Sequence, residues 1–254
     1  MIPGKEWHLD TQHLGRRVLV FEQVDSTNTQ AAALANDPTN DGTVIVAEEQ
    51  TAGRGQHGRT WQCERGVGLL LSVLVFPPPA ARRPVILAAW AANAVCDLIH
   101  QTTGLQAKIK WPNDVLIRGR KVCGILIEQG MGTVVGIGLN LNQSAESFAA
   151  AGLPQAGSLA LFTGRSFECA AMARRLIRQL DAAYQRFHLG DFDFLEKSWK
   201  RRIRLLGKQV LVECHDRVYR GRLRDLGWDG LILEGEDGQA VHLLPESVRH
   251  LLQA

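Results

Sequence analysis

The chain has few cysteines, no long apolar run and almost no imbalance of charge. Cys63, Cys96, Cys123, Cys169 and Cys214 are odd in number, widely scattered and never spaced Cys-x-x-Cys. That excludes a disulfide framework and paired zinc or redox sites, and points to a reducing compartment. The longest apolar stretch, Val67 to Phe76, falls far short of the roughly 20 residues a membrane helix needs. The opening MIPGKEWH holds no apolar signal core, so the expected location is cytoplasmic, with no membrane partner. Lys plus Arg number 29 against 26 Asp plus Glu, a net +3. A protein whose main task is to grip nucleic-acid backbone carries a far larger excess, so any anion site must be local. Internal repeats and low-complexity tracts are also missing, which excludes solenoids and fibres.

What is present is ordinary globular composition, 45% hydrophobic and 22% charged over 254 residues, enough for one real core and an appendage. Asp25-Ser26-Thr27-Asn28 precede an alanine-rich segment, Thr29 to Asn36, and can cap a helix. Thr43 to Ala47 is a β-branched run feeding the glycine-rich stretch Thr51 to Arg59, and Leu69 to Phe76 is a strand stopped by three prolines. Pro84 suits the first turn of a buried helix running to Gly104. A meander follows: Ala107 to Lys110, Val115 to Ile117, Val122 to Glu128 and Thr133 to Leu141. Ser166 is expected to open an amphipathic helix carrying Met172, Leu176, Leu180 and Phe187 on one face. After Trp199 short strands alternate with glycine turns, a pattern that fits a small barrel of roughly 50 residues. The expected class is α+β, a mixed or antiparallel sheet packed by helices over residues 1–204, with a C-terminal all-β barrel over 205–254.

Three strings carry candidate chemistry. Gly53-Arg54-Gly55-Gln56-His57-Gly58 satisfies G-x-G-x-x-G, but another strand follows it where a dinucleotide site requires a helix. No G-x-x-x-x-G-K-[ST] string occurs. A glycine loop flanked by Arg54 and Arg59 remains, a clamp for phosphate or carboxylate or else an exposed turn with incidental charges. Lys108-Ile109-Lys110 puts two lysines on one strand face before Trp111-Pro112-Asn113-Asp114, a rigid aromatic corner ending in a metal-capable carboxylate. Lysines on a solvated edge strand are the bland alternative. Gly119-Arg120-Lys121-Val122-Cys123-Gly124-Ile125 sets Lys121 at the mouth of a hairpin, with Gly124 just inside.

Together with Asp25-Ser26-Thr27-Asn28-Thr29, Ala47-Glu48-Glu49-Gln50 and Gly136-Ile137-Gly138-Leu139-Asn140, in this order, the strings make the chain resemble the biotin–protein ligases from about Val24 to Asn142. The resemblance implies their synthetase-like fold and a reaction in two steps: biotin and ATP, with Mg²⁺, condense to biotinyl-5′-adenylate, and the biotinyl group then passes to one lysine of a biotin carboxyl carrier protein. Lys121 and Arg54 match the catalytic positions, meeting at the junction of carboxylate and phosphate. Ser26, Thr27 and Gln50 match the head-group positions, the loop glycines Gly53, Gly55 and Gly58 surround the same ligand, and Gly124 and Gly138 let strands lie flat against it. Arg54, Arg59, Lys110, Trp111, Asn113 and Asn140 fall on the nucleotide side, and Asp114 is the candidate magnesium ligand.

Bacterial relatives often begin with a DNA-binding winged helix of roughly 60 residues. Only 25 residues precede Ser26 here, so a monofunctional ligase without nucleic-acid binding, monomeric or weakly dimeric, is expected. The family loop commonly reads Gly-Arg-Gly-Arg-Arg-Gly, and Gln56-His57 here stands in place of its middle pair of arginines, so that Gln56 lacks a guanidinium. A charge-assisted hydrogen bond is worth roughly 1.5–3 kcal/mol, so its loss should loosen adenylate retention by about one to two orders of magnitude. The rival readings are a lipoate or octanoate ligase on the same fold and, from another class, a non-catalytic nucleic-acid-binding regulator using the basic cluster at Lys200, Arg201, Arg202 and Arg204.

Overall fold

The structure, a computed structural model, describes residues 2–215, 217–235 and 238–254. In chain order the elements are β1 (Lys5–Trp7), β2 (Val18–Val24), α1 (Thr27–Ala32), β3 (Val44–Gln50), β4 (Gly68–Val75), α2 (Pro84–Thr103), β5 (Lys108–Lys110), β6 (Asp114–Ile117), β7 (Arg120–Gln129), β8 (Thr133–Asn140), α3 (Ala145–Ala150), α4 (Leu159–Thr163), α5 (Cys169–His188) and α6 (Phe192–Ile203). The last strands are β9 (Gln209–Cys214), β10 (Val218–Gly227), β11 (Gly230–Glu234), β12 (Ala240–Leu243) and β13 (Val248–Gln253). The first eight strands form one mixed sheet in the order β1-β2-β3-β4-β8-β7-β6-β5. Only β2 and β3 run parallel, joined through α1, so most of the sheet is built from short antiparallel connections.

The meander β5 to β8 arises where expected, because prolines and glycines mark every corner and the runs between them alternate. Alternation then assigns the faces. Leu69, Leu71, Val135 and Leu139 point into the core, while their neighbours Leu70, Ser72, Gly136 and Gly138 form the opposite face. Helix α2 covers the core face. Pro84 opens it, Gly104 closes it in the left-handed region (φ 73°) with its N–H on the His100 carbonyl, and Trp90 is fully buried. Helix α5 buries Met172, Leu176, Leu180, Tyr184 and Phe187 beside it, as the spacing predicts.

Three expectations are corrected. Helix α1 starts at Thr27 and ends at Ala32, Ser26 caps it without a side-chain hydrogen bond, and the Thr27 and Asn28 side chains bond to Gln50, Ser72 and Glu128 instead of to the helix. The long helix is capped by Glu168, whose carboxylate accepts from the Ala170 and Ala171 amides. Ser166 lies upstream, where Asn142 pins Phe167 through both its amide groups. The C-terminal strands do not close a barrel. They form an open antiparallel sheet, β12-β11-β10-β9-β13, because the turn Pro245–Ser247 carries the chain from β12 across to the far side of β9. A ladder of indoles joins this sheet to the rest: Trp111 lies 5.3 Å from Trp199, which stacks at 5.1 Å on Trp228.

The N-terminal segment is locked by a buried carboxylate. Asp181, 4% exposed on α5, accepts the backbone amides of Gln12, His13 and Leu14. His13 stacks on Tyr184 and meets Asp41 at 3.1 Å, a hydrogen bond that holds its pKa above the usual imidazole range. A raised folded pKa stabilises the protein fully below the unfolded value, about 6.5, and that gain is lost as pH rises through the folded value. Thermal unfolding followed from pH 5 to 8 should therefore show a downward component that His13→Gln removes, worth no more than about 1 kcal/mol for a partly exposed pair.

Candidate active site

The sheet face opposite the core floors a cavity of about 500 Å³. Its floor follows from register. Leu70 pairs Gly138, Gly138 pairs Gly124, and Gly124 pairs Asp114, so one row crosses four strands. The next row is Ser72, Gly136 and Leu126. Glycines at the centre leave an open slot, and the Trp61 indole lies in it. A Cβ on Gly138 would stand 2.6 Å from Trp61 Cζ2, and one on Gly124 would stand 2.9 Å from Cζ3.

At one end of the slot the polar groups are neutral. Gln50, the last residue of β3, accepts from the Thr27 amide at 2.7 Å and from its hydroxyl at 2.9 Å. Ser72 Oγ lies 2.7 Å from Thr27 Oγ1 and 2.6 Å from Asn28 Oδ1, its one proton shared between them. Ser26 is 3% exposed and its hydroxyl makes no capping bond. Donors and acceptors thus stand at the closed end of an apolar slot, the arrangement that orients a small ligand with a polar head.

The other end is cationic. A bulge between β6 and β7 pairs Val115 with Cys123 but Leu116 with Lys121, which turns Lys121 onto the same face as Gly124. Its Nζ meets Asp114 Oδ1 at 2.6 Å and sits 5.6 Å from the centre of the Trp61 ring. Lys110, Arg59 and His57 line the same end. Two residues of the C-terminal sheet, Arg249 and His250, complete it. Burial, then the nearby Lys110 charge, lowers the His250 pKa, so the ring is neutral beside these cations at neutral pH. Arg54 stands by the neutral end instead: it gives Nε and Nη2 at 3.1 and 2.9 Å to Glu128, which also accepts from Asn28 Nδ2, and Nη1 to Thr29.

The sequence-predicted residues Ser26, Thr27, Gln50, Arg54, Gly55, Arg59, Lys110, Trp111, Asn113, Asp114, Lys121, Gly124, Gly138 and Asn140 all line this cavity. Gly53 lies instead on an adjoining cavity of about 400 Å³, on the far side of Trp61. Gly58 lines neither; with φ 73° it turns the loop. Asn113 and Asn140 each give one amide N–H to a carbonyl, of Ile125 and Gly157 respectively, and so hold the walls. Asp114 is the one carboxylate among the described lining residues, and no cluster of metal-ligating side chains surrounds it among the described residues. That suits a magnesium ion that keeps its waters and rides on substrate phosphates rather than one held in a protein cage. Sequence reasoning passed over Trp61, Ser72, Glu128, Arg249 and His250. Period-two counting along β7 from Gly124 reaches Glu128, the one signal that was available.

Residues 20–143 match the family model described as the biotin/lipoate A/B protein ligase family. A biotin–[acetyl-CoA-carboxylase] ligase of Mycobacterium tuberculosis is 35% identical, the match covering 93% of this chain and 90% of that one. The corresponding ligase of Paracoccus denitrificans is 32% identical, over 87% and 96%. Among solved structures, the biotin protein ligase of Aquifex aeolicus in complex with biotin and ATP superposes with a TM-score of 0.79 at 26% identity, covering 93% of this chain and 99% of that one. The chain belongs to the biotin/lipoate A/B protein ligase family. Within that family, the similarity that spans nearly the whole chain is to the biotin protein ligases, and the protein is a ligase of that fold. No helix among the described residues is long and apolar enough to cross a membrane.

Proposed function

We propose that the protein activates biotin with ATP to biotinyl-5′-adenylate, releasing pyrophosphate, and then transfers the biotinyl group to a lysine of a biotin carboxyl carrier protein in the cytoplasm. The observation that carries the reading is the slot itself, neutral hydrogen-bonding groups at its closed end and Lys121 at its open end, with an indole against a glycine floor between them. Incubation with ATP, magnesium and biotin, followed by mass spectrometry of the nucleotide product, tests it. Competition of ATP–pyrophosphate exchange by biotin against lipoate separates it from a lipoate ligase: a flexible acyl chain has no ureido head to engage Thr27 and Gln50.

In the first step a carboxylate approaches an α-phosphate that is also negative, and fixed positive groups must offset the repulsion. Lys121 Nζ stands at the floor of the slot and donates to both oxygens as the bond forms. Its ion pair with Asp114 keeps it charged and aimed. Lys110, Arg59 and Arg249 face the polyphosphate. Asp114 would hold magnesium, which would supply further charge neutralisation. Trp61, on the loop over the glycine floor, swings off that floor to admit the acyl chain and then shields the mixed anhydride from water. In the second step the acceptor lysine must arrive neutral, although its unperturbed pKa is about 10.4. The cations that neutralise the phosphate also lower the pKa of an entering amine by like-charge repulsion. The division near residue 204 belongs to the same reading: residues 1–204 hold the acyl site and the C-terminal sheet closes the nucleotide end through Arg249 and His250.

Gln56 lines the cavity where the family loop commonly carries arginine. Gln56→Arg is expected to slow escape of the adenylate by about ten- to a hundredfold and to cut labelling of lysines on bystander proteins. Equal release rates for the two proteins, measured with preformed adenylate in a rapid filter assay, would contradict it.

A further inference from the structure

Two buried polar atoms beside the slot have no partner among the described residues, and one is a donor, the other an acceptor. The donor is Trp61 Nε1, which lies over the glycine floor, where a Cβ on Gly138 would stand 2.6 Å from it. The acceptor is Gln143 Oε1, on a side chain 5% exposed that lines the adjoining cavity of about 400 Å³. Trp61 lines both cavities and is the wall between them. A buried indole N–H ordinarily finds an acceptor, and leaving it without one is costly. Neither chemical step calls on Gln143.

Neighbours fix the way the Gln143 amide faces. Asn140 gives Nδ2 to the Gly157 carbonyl, so its Oδ1 is turned to Gln143 and accepts from Gln143 Nε2 at 3.1 Å. The opposite orientation would set two oxygens together. Nε2 also meets Cys63 Sγ at 3.3 Å, and Oε1 is left as the free acceptor. The backbone is held too: the Gln143 carbonyl accepts from Ser158 Oγ at 2.7 Å, and the Asn142 amide donates to the Val67 carbonyl. Gly68 gives the group its room, since a Cβ there would strike Cys63 Sγ and stand 3.0 Å from Gln143 Nε2. Cys63, which already touches this amide, lies only two residues beyond Trp61, at most about 7 Å of chain. The cavity beside it is of a size that takes a small molecule. Rotation about the Trp61 Cα–Cβ bond carries the indole toward it while the Trp61 amide stays on the Gly53 carbonyl.

We propose that Gln143 is a positioning residue that receives Trp61: when the acyl chain takes the glycine floor, the indole turns into the adjoining cavity and its N–H donates to Gln143 Oε1. The proposal rests on the ligase reading of the site. Gln143 touches no substrate and acts only through Trp61. In the free protein the indole fills the slot with its donor unpaired. With ligand present the acyl chain replaces the indole against Gly124 and Gly138, the orphaned donor and acceptor satisfy each other, and the ring flanks the slot from the side. The hydrogen bond thus exists only in the occupied state and adds to affinity there.

The test combines Gln143→Met, which keeps the length of the side chain without its polar atoms, with Trp61→Phe, which keeps a ring without its N–H. Biotin titration calorimetry, ATP–pyrophosphate exchange and thermal unfolding are measured on both variants and the double variant, and indole N–H resonances are followed by ¹⁵N NMR. Gln143→Met should weaken biotin binding by about two- to tenfold, the worth of one net hydrogen bond. At saturating biotin kcat should change less than about twofold, since the bond serves binding and not chemistry. In the Trp61→Phe background Gln143→Met should add almost nothing, because the partner N–H is already gone; a purely structural loss would recur in both. In the wild type, biotin should move the one indole signal that Trp61→Phe deletes downfield, and in Gln143→Met that move should vanish. The same loss of affinity in both backgrounds, or wild-type affinity in Gln143→Met, overturns the role. If Gln143→Met fails to fold, a Trp61 signal that biotin leaves in place overturns it equally, as does wild-type affinity in Trp61→Phe. Wild-type protein that neither binds biotin nor supports exchange overturns the ligase reading itself; binding and exchange with an unmoved indole overturn the role of Gln143 alone.

Discussion

Lys121→Ala is expected to lower biotin-dependent pyrophosphate exchange by about 10²–10³-fold, the range for removing one preorganised donor from a site of developing charge. The structure makes this a sharp test, because Lys121 is tied in place by its backbone as well as by Asp114. Its amide donates to the Gln155 carbonyl and its carbonyl accepts from the Gly157 amide. The variant therefore keeps its strand register and loses only the side chain beyond Cβ, the ammonium group with it. Stability should fall little: the Lys121 side chain is 37% exposed, and pairs of that kind contribute about 1 kcal/mol or less. One complication can be removed by design. Lys121→Ala leaves Asp114, 19% exposed, as an unpaired anion that would itself repel substrate. Lys121→Ala with Asp114→Asn removes both charges. Asp114→Asn alone is the control for loss of the magnesium ligand: if loss of the cation is the cause, the double variant falls well below Asp114→Asn, and if orphaned Asp114 is the cause, the two match. Exchange at the wild-type rate in the single variant would remove Lys121 from the mechanism.

Arginine at Lys121 is a harder replacement than its charge suggests. The bulge at Val122 sets Lys121 beside Asp114 across β6, and the compact ammonium fits the space beneath Trp61. A planar fork in that space would push the indole out of the slot.

The sequence made some of this legible and hid the rest for identifiable reasons. Helix α2 could be read because Pro84 and Gly104 mark both of its ends, and the meander because each corner carries glycine or proline. Helix α1 was misread because Thr27 and Asn28, good capping residues, bond to Gln50, Ser72 and Glu128 instead; local chemistry does not reveal a distant partner. The barrel was misread because alternation identifies strands without saying which edges meet. Short, polar α6 escaped notice, and so did β2, whose partner β3 lies across a helix. At the site, the residues found were those in contiguous strings, such as Lys121 and Gly124. Ser72 and Glu128 matter only because β4, β8 and β7 are neighbours in the sheet, a fact carried by register and not by any motif. Trp61 follows the glycine loop directly, but its importance depends on two glycines more than sixty residues away.

Those glycines give the second large effect. Gly138→Val should weaken biotin binding by about 10²–10³-fold while leaving the fold intact. Valine suits a central strand, and the three atoms nearest a Cβ at this position all belong to the Trp61 indole. The indole sits on a loop, so relief comes by swinging it away from the sheet. Once the slot is occupied the added methyls crowd the bound acyl chain, an overpacking worth roughly 1–3 kcal/mol that falls on the complex and not on the free protein, and an aromatic surface removed from its ligand adds roughly 0.5–1.5 kcal/mol. Titration calorimetry with biotin measures the loss, and unchanged thermal unfolding separates it from misfolding. A second comparison isolates the cause. If displacement of Trp61 is responsible, Gly138→Ala is costly in the wild-type background and nearly neutral when Trp61 is already alanine. If the added methyl itself blocks the slot, Gly138→Ala costs the same in both. Wild-type biotin affinity in Gly138→Val would mean that no ligand lies along this floor at all, and the slot between Gln50 and Lys121 would lose its claim to the acyl chain.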